Sequence, residues 1–294
     1  QNRKKGAAYS FFVQKAIAVK IDSAVAKKST GIKTTADTAK VKIDKTDSAF
    51  VKIYNASNEL IRTQKVKADT GLNRYYWGFE MKGNRQPGSA KPKAGEDEPR
   101  GMQVYPGTFK LVVELGKEKD STTILVKSDP STMPSKEIYN AKAAALKRLS
   151  NSIEKLVAIT DRLTEAEETI SKVEAALKNI ETPEADSLRK TSKATTDSIK
   201  NIRNFIFGKP LEKQGYGRVY QVTVNGKVQD ARDEIAGKNK IPAAQEFALI
   251  EIAESLVAES IKKTNTFFNG KWAAFQKQAD TTPMKLFKEY KIME

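Results

Sequence analysis

Asn73-Arg74-Tyr75-Tyr76-Trp77-Gly78-Phe79 is the stretch on which the fold class turns. Side chains alternate across a strand, so Tyr75, Trp77 and Phe79 are expected on one face and Arg74 and Tyr76 on the other. Phe109, Leu111, Val113 and Leu115 repeat the pattern after Pro106-Gly107, a turn signal. Two such strands would supply a sandwich with its aromatic core.

Outward from this pair, residues 7–13 (AAYSFFV), 50–54 (FVKIY), 60–66 and 124–127 read as further strands between Gly, Pro, Asn and Asp punctuation. Asn55 and Asn58 are placed to make the turn after the second of them. Several short antiparallel strands predict an immunoglobulin-like or fibronectin-like β-sandwich over residues 1–130. Two stretches exceed a minimal sandwich. Residues 83–101 (GNRQPGSAKPKAGEDEPRG) read as a mobile loop, and residues 18–48 as an extra hairpin or a long excursion.

From Pro134 the period becomes helical. Leu146, Leu149, Ile153, Leu156, Thr160, Leu163, Glu167, Ile170, Val173, Leu177 and Ile180 advance by threes and fours, predicting one long helix from near Ser135. Thr182-Pro183-Glu184 then offers an N-cap, a first-turn proline and an acidic first turn for a second helix, with Leu188, Ile199, Ile202 and Ile206 on its buried side. Ile241-Pro242 opens a third, striped by Phe247, Ile250, Leu256, Val257, Ile261, Phe268, Trp272 and Phe275 and ended by Pro283, after which Met284 to Ile292 docks as a short C-terminal segment. Residues 134–294 are therefore expected to form an antiparallel three-helix bundle. Within 211–240 the signals conflict: Val219 to Val224 alternate as a strand would, while Val228 to Ile235 suit a short helix.

Composition narrows the chemistry. The 294 residues suit two modules, and the chain has neither Cys nor His. That removes disulfides, thiolate nucleophiles, the usual zinc sites and every Ser-His or Cys-His arrangement. No apolar run is long enough to span a bilayer, and the start at Gln1 without Met or signal core reads as a processed chain or excised fragment. The net charge of +16 sits mostly before residue 135 as scattered Lys, which reads as a solvated surface, with electrostatic binding of acidic polymers as the alternative. Nucleic acid is not an expected partner.

The remaining acid-base candidates are Glu96-Asp97-Glu98, Glu165 with Glu167 and Glu168, and Glu251 with Glu254. A glycosidase needs two carboxyls converging across a cleft, whereas these fall in a loop and on helix faces where charges are normally solvated. No catalytic, cofactor-binding or metal-binding residue is assigned. Tyr75 and Trp77 are expected in the core, and Tyr76, on the opposite face, is the one candidate ligand-binding residue. Trp272, at helical spacing from Phe268 and Phe275, reads as structural.

The run Gly71-Leu72-Asn73-Arg74-Tyr75-Tyr76-Trp77-Gly78-Phe79, followed by Tyr105-Pro106-Gly107-Thr108-Phe109-Lys110-Leu111-Val112-Val113, resembles the C-terminal sandwich of large secreted bacterial proteins built on a sortilin-like, BNR-repeat β-propeller and commonly labelled glycosyl hydrolases. Residues 6–13, 51–54 with 60–62, and the Val126-Lys127-Ser128-Asp129-Pro130 junction into the helices extend the resemblance. The chain departs from it at Gly78, where relatives carry Asp, and in the length of the early insertion. The resemblance implies an exported, non-catalytic accessory and interaction region whose partner is an upstream propeller of the same protein, with another protein or a polysaccharide as further partners. A carbohydrate-binding module is the alternative.

Overall fold

The computed structural model describes residues 6–14, 48–93, 96–128, 135–210 and 221–283. Most of the 18–48 insertion, the first third of 211–240 and the segment after Pro283 lie outside the described residues. The chain forms two compact units: a β unit of Gln1–Gly83 with Pro92–Pro130, and a helical unit of Asn84–Lys91 with Ser131–Glu294.

In the β unit, β1 (Ala7–Val13) pairs antiparallel with β4 (Gly71–Trp77), placing Tyr9 opposite Tyr75 and Ala7 opposite Trp77. A four-stranded antiparallel sheet runs in the order β3 (Leu60–Lys67), β2 (Ser48–Tyr54), β7 (Gly107–Leu115), β8 (Glu118–Val126). A small ribbon joins β5 (Glu80–Lys82) to β6 (Arg100–Gln103). Tyr9, Val51, Ile53, Trp77, Val104, Phe109, Leu111 and Val126 form one buried cluster, so both larger sheets contribute to the same core. Trp77 is fully buried, edge-on to Phe79 and Phe109.

The turns follow from short polar side chains. Asn55 Oδ1 accepts the Glu59 amide while the Asn55 amide donates to the Glu59 carbonyl, and Asn58 takes a positive φ of 59°. Asn73, buried on β4, donates to the Asp69 and Gly71 carbonyls and accepts the Asp69 amide, which ties the β3–β4 turn to the strand it opens.

Three strand expectations need correction. The strand holding Trp77 stops there, because Phe79 sits at φ 64°, outside strand geometry, although its ring still packs on Trp77. The final strand begins at Glu118 and not at Ile124. Its first two thirds, Glu-Lys-Asp-Ser-Thr-Thr, form an edge exposed on both faces and carry no alternation to read. The stretch 83–101, expected as a mobile loop, has specific partners. Asp97 and Glu98 carboxylates accept the Lys65 and Thr63 amides on the open side of β3, at 2.9 and 2.7 Å. Buried Arg62 donates to the carbonyls of Met81, Glu98 and Pro99, gathering the ribbon onto the sheet.

The helical unit is built on α1 (Lys136–Leu177), which packs against α2 (Pro183–Phe207), α3 (Val224–Gly237) and α4 (Ala244–Phe267). Ser135, Thr182 and Thr223 are the N-caps, each hydroxyl accepting the amide three residues on. Every seam position of α1 from Leu149 to Leu163 is buried as the spacing predicts. Ala145, Ser152, Ile159 and Ala166 are buried too, because three helices surround α1.

Among the described residues the helical unit thus holds four principal helices, not three. Val224 opens α3 instead of continuing a strand, and residues 221–223 are irregular. Val224, Val228, Ala231 and Ile235 repeat at helical spacing and are buried, a stripe too short to outweigh the neighbouring glycines in the sequence. After α4 the chain passes through a π-helical turn, Phe268–Trp272, into α5 (Ala273–Thr281). In an unbroken α-helix Phe267 and Phe275 would point about 80° apart. The wider turn brings both into the core beside Phe268 and Trp272.

Candidate functional site

Alternation on β1 and β4 sends Ala8, Ser10 and Phe12 to one side, opposite Tyr76, Arg74 and Leu72 respectively. This is the outer face of the two-stranded sheet. Phe12 is 67% exposed and Leu72 74% exposed, facing each other across the strands. Tyr76 lies on this face as expected, but half-buried, with its carbonyl accepting Gln64 Nε2 at 3.3 Å. Tyr75 turns inward, stacks on Phe11 and donates its hydroxyl to the Lys67 carbonyl. Tyr9 is buried in the core beneath, its hydroxyl donating to Gln64 Oε1, and burial pushes its phenol well above the ordinary tyrosine range.

The carboxylates are distributed, not convergent. Asp97 and Glu98 hold the β3 edge, and Glu98 also pairs with Lys82. Glu165 pairs with Lys91, Glu167 receives a two-pronged contact from Arg203 of α2, and Glu254 receives another from Arg148 of α1. Arg148 holds the Glu254 carboxyl below its usual range. Glu168 and Glu251 are exposed on their helices. Among the described residues no group of three or more acidic side chains is placed to hold a metal ion.

Among the described residues Glu246 is the one acidic side chain buried outright, at 1% exposure. It accepts the Ala243 amide and contacts Lys238 and Lys240, so its pKa falls to about 2, chiefly through Lys238. Lys142 reaches the same corner and donates to the Ala236 and Lys238 carbonyls at the end of α3. These contacts join the α3 and α4 ends.

The most elaborate polar assembly is one that sequence reading missed. Asn84–Lys91 belongs to the helical unit and turns at Pro87-Gly88, where the Ser89 amide donates to the Gln86 carbonyl. Asn84 donates to Glu154 Oε1 at 2.9 Å and accepts Ser150 Oγ at 2.7 Å. Arg85 pairs with Asp161, Pro87 is buried, and the Gly88 amide donates to buried Thr160 Oγ1 at 3.1 Å. Gln86 accepts Gln229 of α3, and Lys91 pairs with Glu165. The α1 residues involved, 150, 154, 161 and 165, are spaced four, seven and four apart and share one stripe. That spacing, beside an Arg-x-Pro-Gly stretch elsewhere, was the available signal.

No protein-family model, curated protein or solved structure matches the chain. Among the described residues no helix is long and apolar enough to cross a membrane.

Proposed function

We propose that the chain is a non-catalytic accessory and interaction region of a larger exported protein, with an immunoglobulin-like sandwich as its β unit. The observation that carries the reading is the use made of its carboxylates. Each cluster that acid-base chemistry would draw on has members committed to backbone amides or to Arg and Lys partners: Asp97 and Glu98 on β3, Glu165 and Glu167 on Lys91 and Arg203, and Glu254 on Arg148. Carboxylates taken up by such partners are not free to converge across a cleft on one substrate bond. The shared core around Trp77 and the resemblance of residues 71–79 and 105–113 support the sandwich assignment. Recognition would then belong to an upstream propeller, against which these units act as partner. The test is incubation with chromogenic glycosides: no turnover is expected, and turnover abolished by replacing a single acidic residue would overturn the reading.

A sugar-binding role is favoured by one observation, the outer face of β1 and β4 where Tyr76, Arg74, Phe12 and Leu72 lie together. Aromatic faces stack on sugar rings and an arginine can hydrogen-bond their hydroxyls. A glycan array would show binding that Tyr76→Ala removes; silence across the array excludes this role.

A further inference from the structure

Asn84–Lys91 occupies a groove that three helices build together. Glu154, Thr160, Asp161 and Glu165 of α1 form its floor and acidic wall. Gln229 of α3 closes one side, and Phe207 at the end of α2 lies so near Gly88 that an added Cβ would come within 3.1 Å of its ring. The occupant is held as a docked peptide is held. One apolar anchor, Pro87, is buried; a main-chain amide, Gly88, meets a buried hydroxyl; and cations at each side of the anchor, Arg85 and Lys91, meet carboxylates. Gln86–Ser89 closes a turn of its own, with the Ser89 amide donating to the Gln86 carbonyl at 3.2 Å, Gly88 at φ 78° and Arg85 donating to the Ser89 carbonyl; side chains of the helices then hold this turn in the groove.

We infer that this groove is a peptide-recognition site, filled in cis by Asn84–Lys91, and that its partner in trans is a basic, turn-forming peptide of the form Arg-x-Pro-Gly-x-x-Lys on another protein. The charge relation commits it to that class. Glu154, Asp161 and Glu165 stand on one stripe of α1, and an acidic or purely apolar segment would leave at least Asp161 without its counter-charge. The resident segment competes as an intramolecular ligand, with an effective concentration on the order of millimolar, so a partner must either bind more tightly or meet the groove when the segment has lifted. The groove would bind such a peptide whether or not the chain serves as an accessory to a propeller.

The test uses the whole chain with residues 84–91 replaced by an equal length of Gly and Ser, and a fluorescent peptide carrying the sequence of residues 83–92. Anisotropy should show the emptied variant binding the peptide at least about tenfold more tightly than the wild type, in which the resident segment competes. Adding Asp161→Asn to the emptied variant should cost about threefold to tenfold, because a part-buried charge pair is broken. Equal weak binding by emptied and wild-type chains, or binding indifferent to Asp161→Asn, overturns the inference. Binding of the emptied variant to wild-type chain but not to the peptide would assign the groove to a second copy and overturn it as well. If the Gly/Ser replacement fails to fold by circular dichroism, the Arg85→Ala/Lys91→Ala variant decides on the same criteria, since it retains Pro87 and Gly88 and only weakens the resident segment.

Discussion

Trp77 Nε1 donates a hydrogen bond of 2.9 Å to the Glu80 carbonyl, so the largest side chain of the β core also fixes where the chain turns out of β4. Its ring meets Phe109 edge-on with centroids 5.1 Å apart. Trp77→Ala should destabilise the β unit by about 3–5 kcal/mol through lost burial and the cavity left behind. Trp77→Phe should cost about 1–3 kcal/mol, part of it the unpaired Glu80 carbonyl. Urea unfolding followed by hydrogen exchange at β-unit amides checks both, since either variant removes the tryptophan of that unit. Each unit holds one of the two tryptophans, so Trp272 reports the helical unit unchanged in either variant.

Gly83 tests the close approach at the base of the β5–β6 ribbon. A Cβ there would stand 2.2 Å from the Arg100 carbonyl oxygen, a backbone atom that cannot step aside. Gly83→Ala should shift the β-unit transition down by an amount equivalent to about 1–3 kcal/mol, the usual cost of overpacking. Gly116→Ala, at the exposed β7–β8 turn with φ 61°, should cost about 1 kcal/mol from backbone strain alone. Comparing their denaturant midpoints separates steric contact from φ.

Glu246 should make the helical unit sensitive to acid. Its pKa in the folded chain, about 2, lies below the ordinary carboxylate value in the unfolded chain, about 4.3. The folded state therefore holds this proton less readily, and the stabilisation is complete above about pH 4.3 and disappears as pH falls toward 2. The advantage of wild type over Glu246→Gln in thermal unfolding should be constant from pH 7 to 5 and shrink between pH 4.5 and 2. An advantage that stayed constant through that window would show that the Lys238 and Lys240 contacts do not set the titration.

Arg203 joins α2 to α1 through Glu167, at 3.1 and 2.8 Å. Both side chains are part-exposed, so solvent screening limits the pair. A double-mutant cycle with Arg203→Ala and Glu167→Ala should return a coupling of about 0.3–1 kcal/mol, reduced further in 0.5 M salt.

Much of the local structure was legible because it rests on short-range physics. The period of α1, the Ser135 and Thr182 caps, the Pro183 start and the Trp77 strand each follow from side-chain spacing or from a hydroxyl beside free amides, and the structure has them at those residues. The first two thirds of β8 escaped because an edge strand bathed on both faces needs no apolar alternation. Phe79 escaped because its φ is set by the turn that Trp77 and Glu80 close, and nothing in the residue itself favours that conformation.

Sequence alone determined the two classes of secondary structure, the buried seams of α1 and α2 and, through the absence of Cys and His, the chemistry that is closed to this chain. Tertiary structure alone decided where the charges of residues 84–98 go. Arg85 and Asp161 are 76 residues apart, as are Glu98 and Thr63 by 35, and such pairs leave no periodic trace in either partner. Burial repeats along an element because the element has a period. A salt bridge or an amide-to-carboxylate bond between distant segments is a single coincidence of position, and it exists only once folding has brought the two segments together.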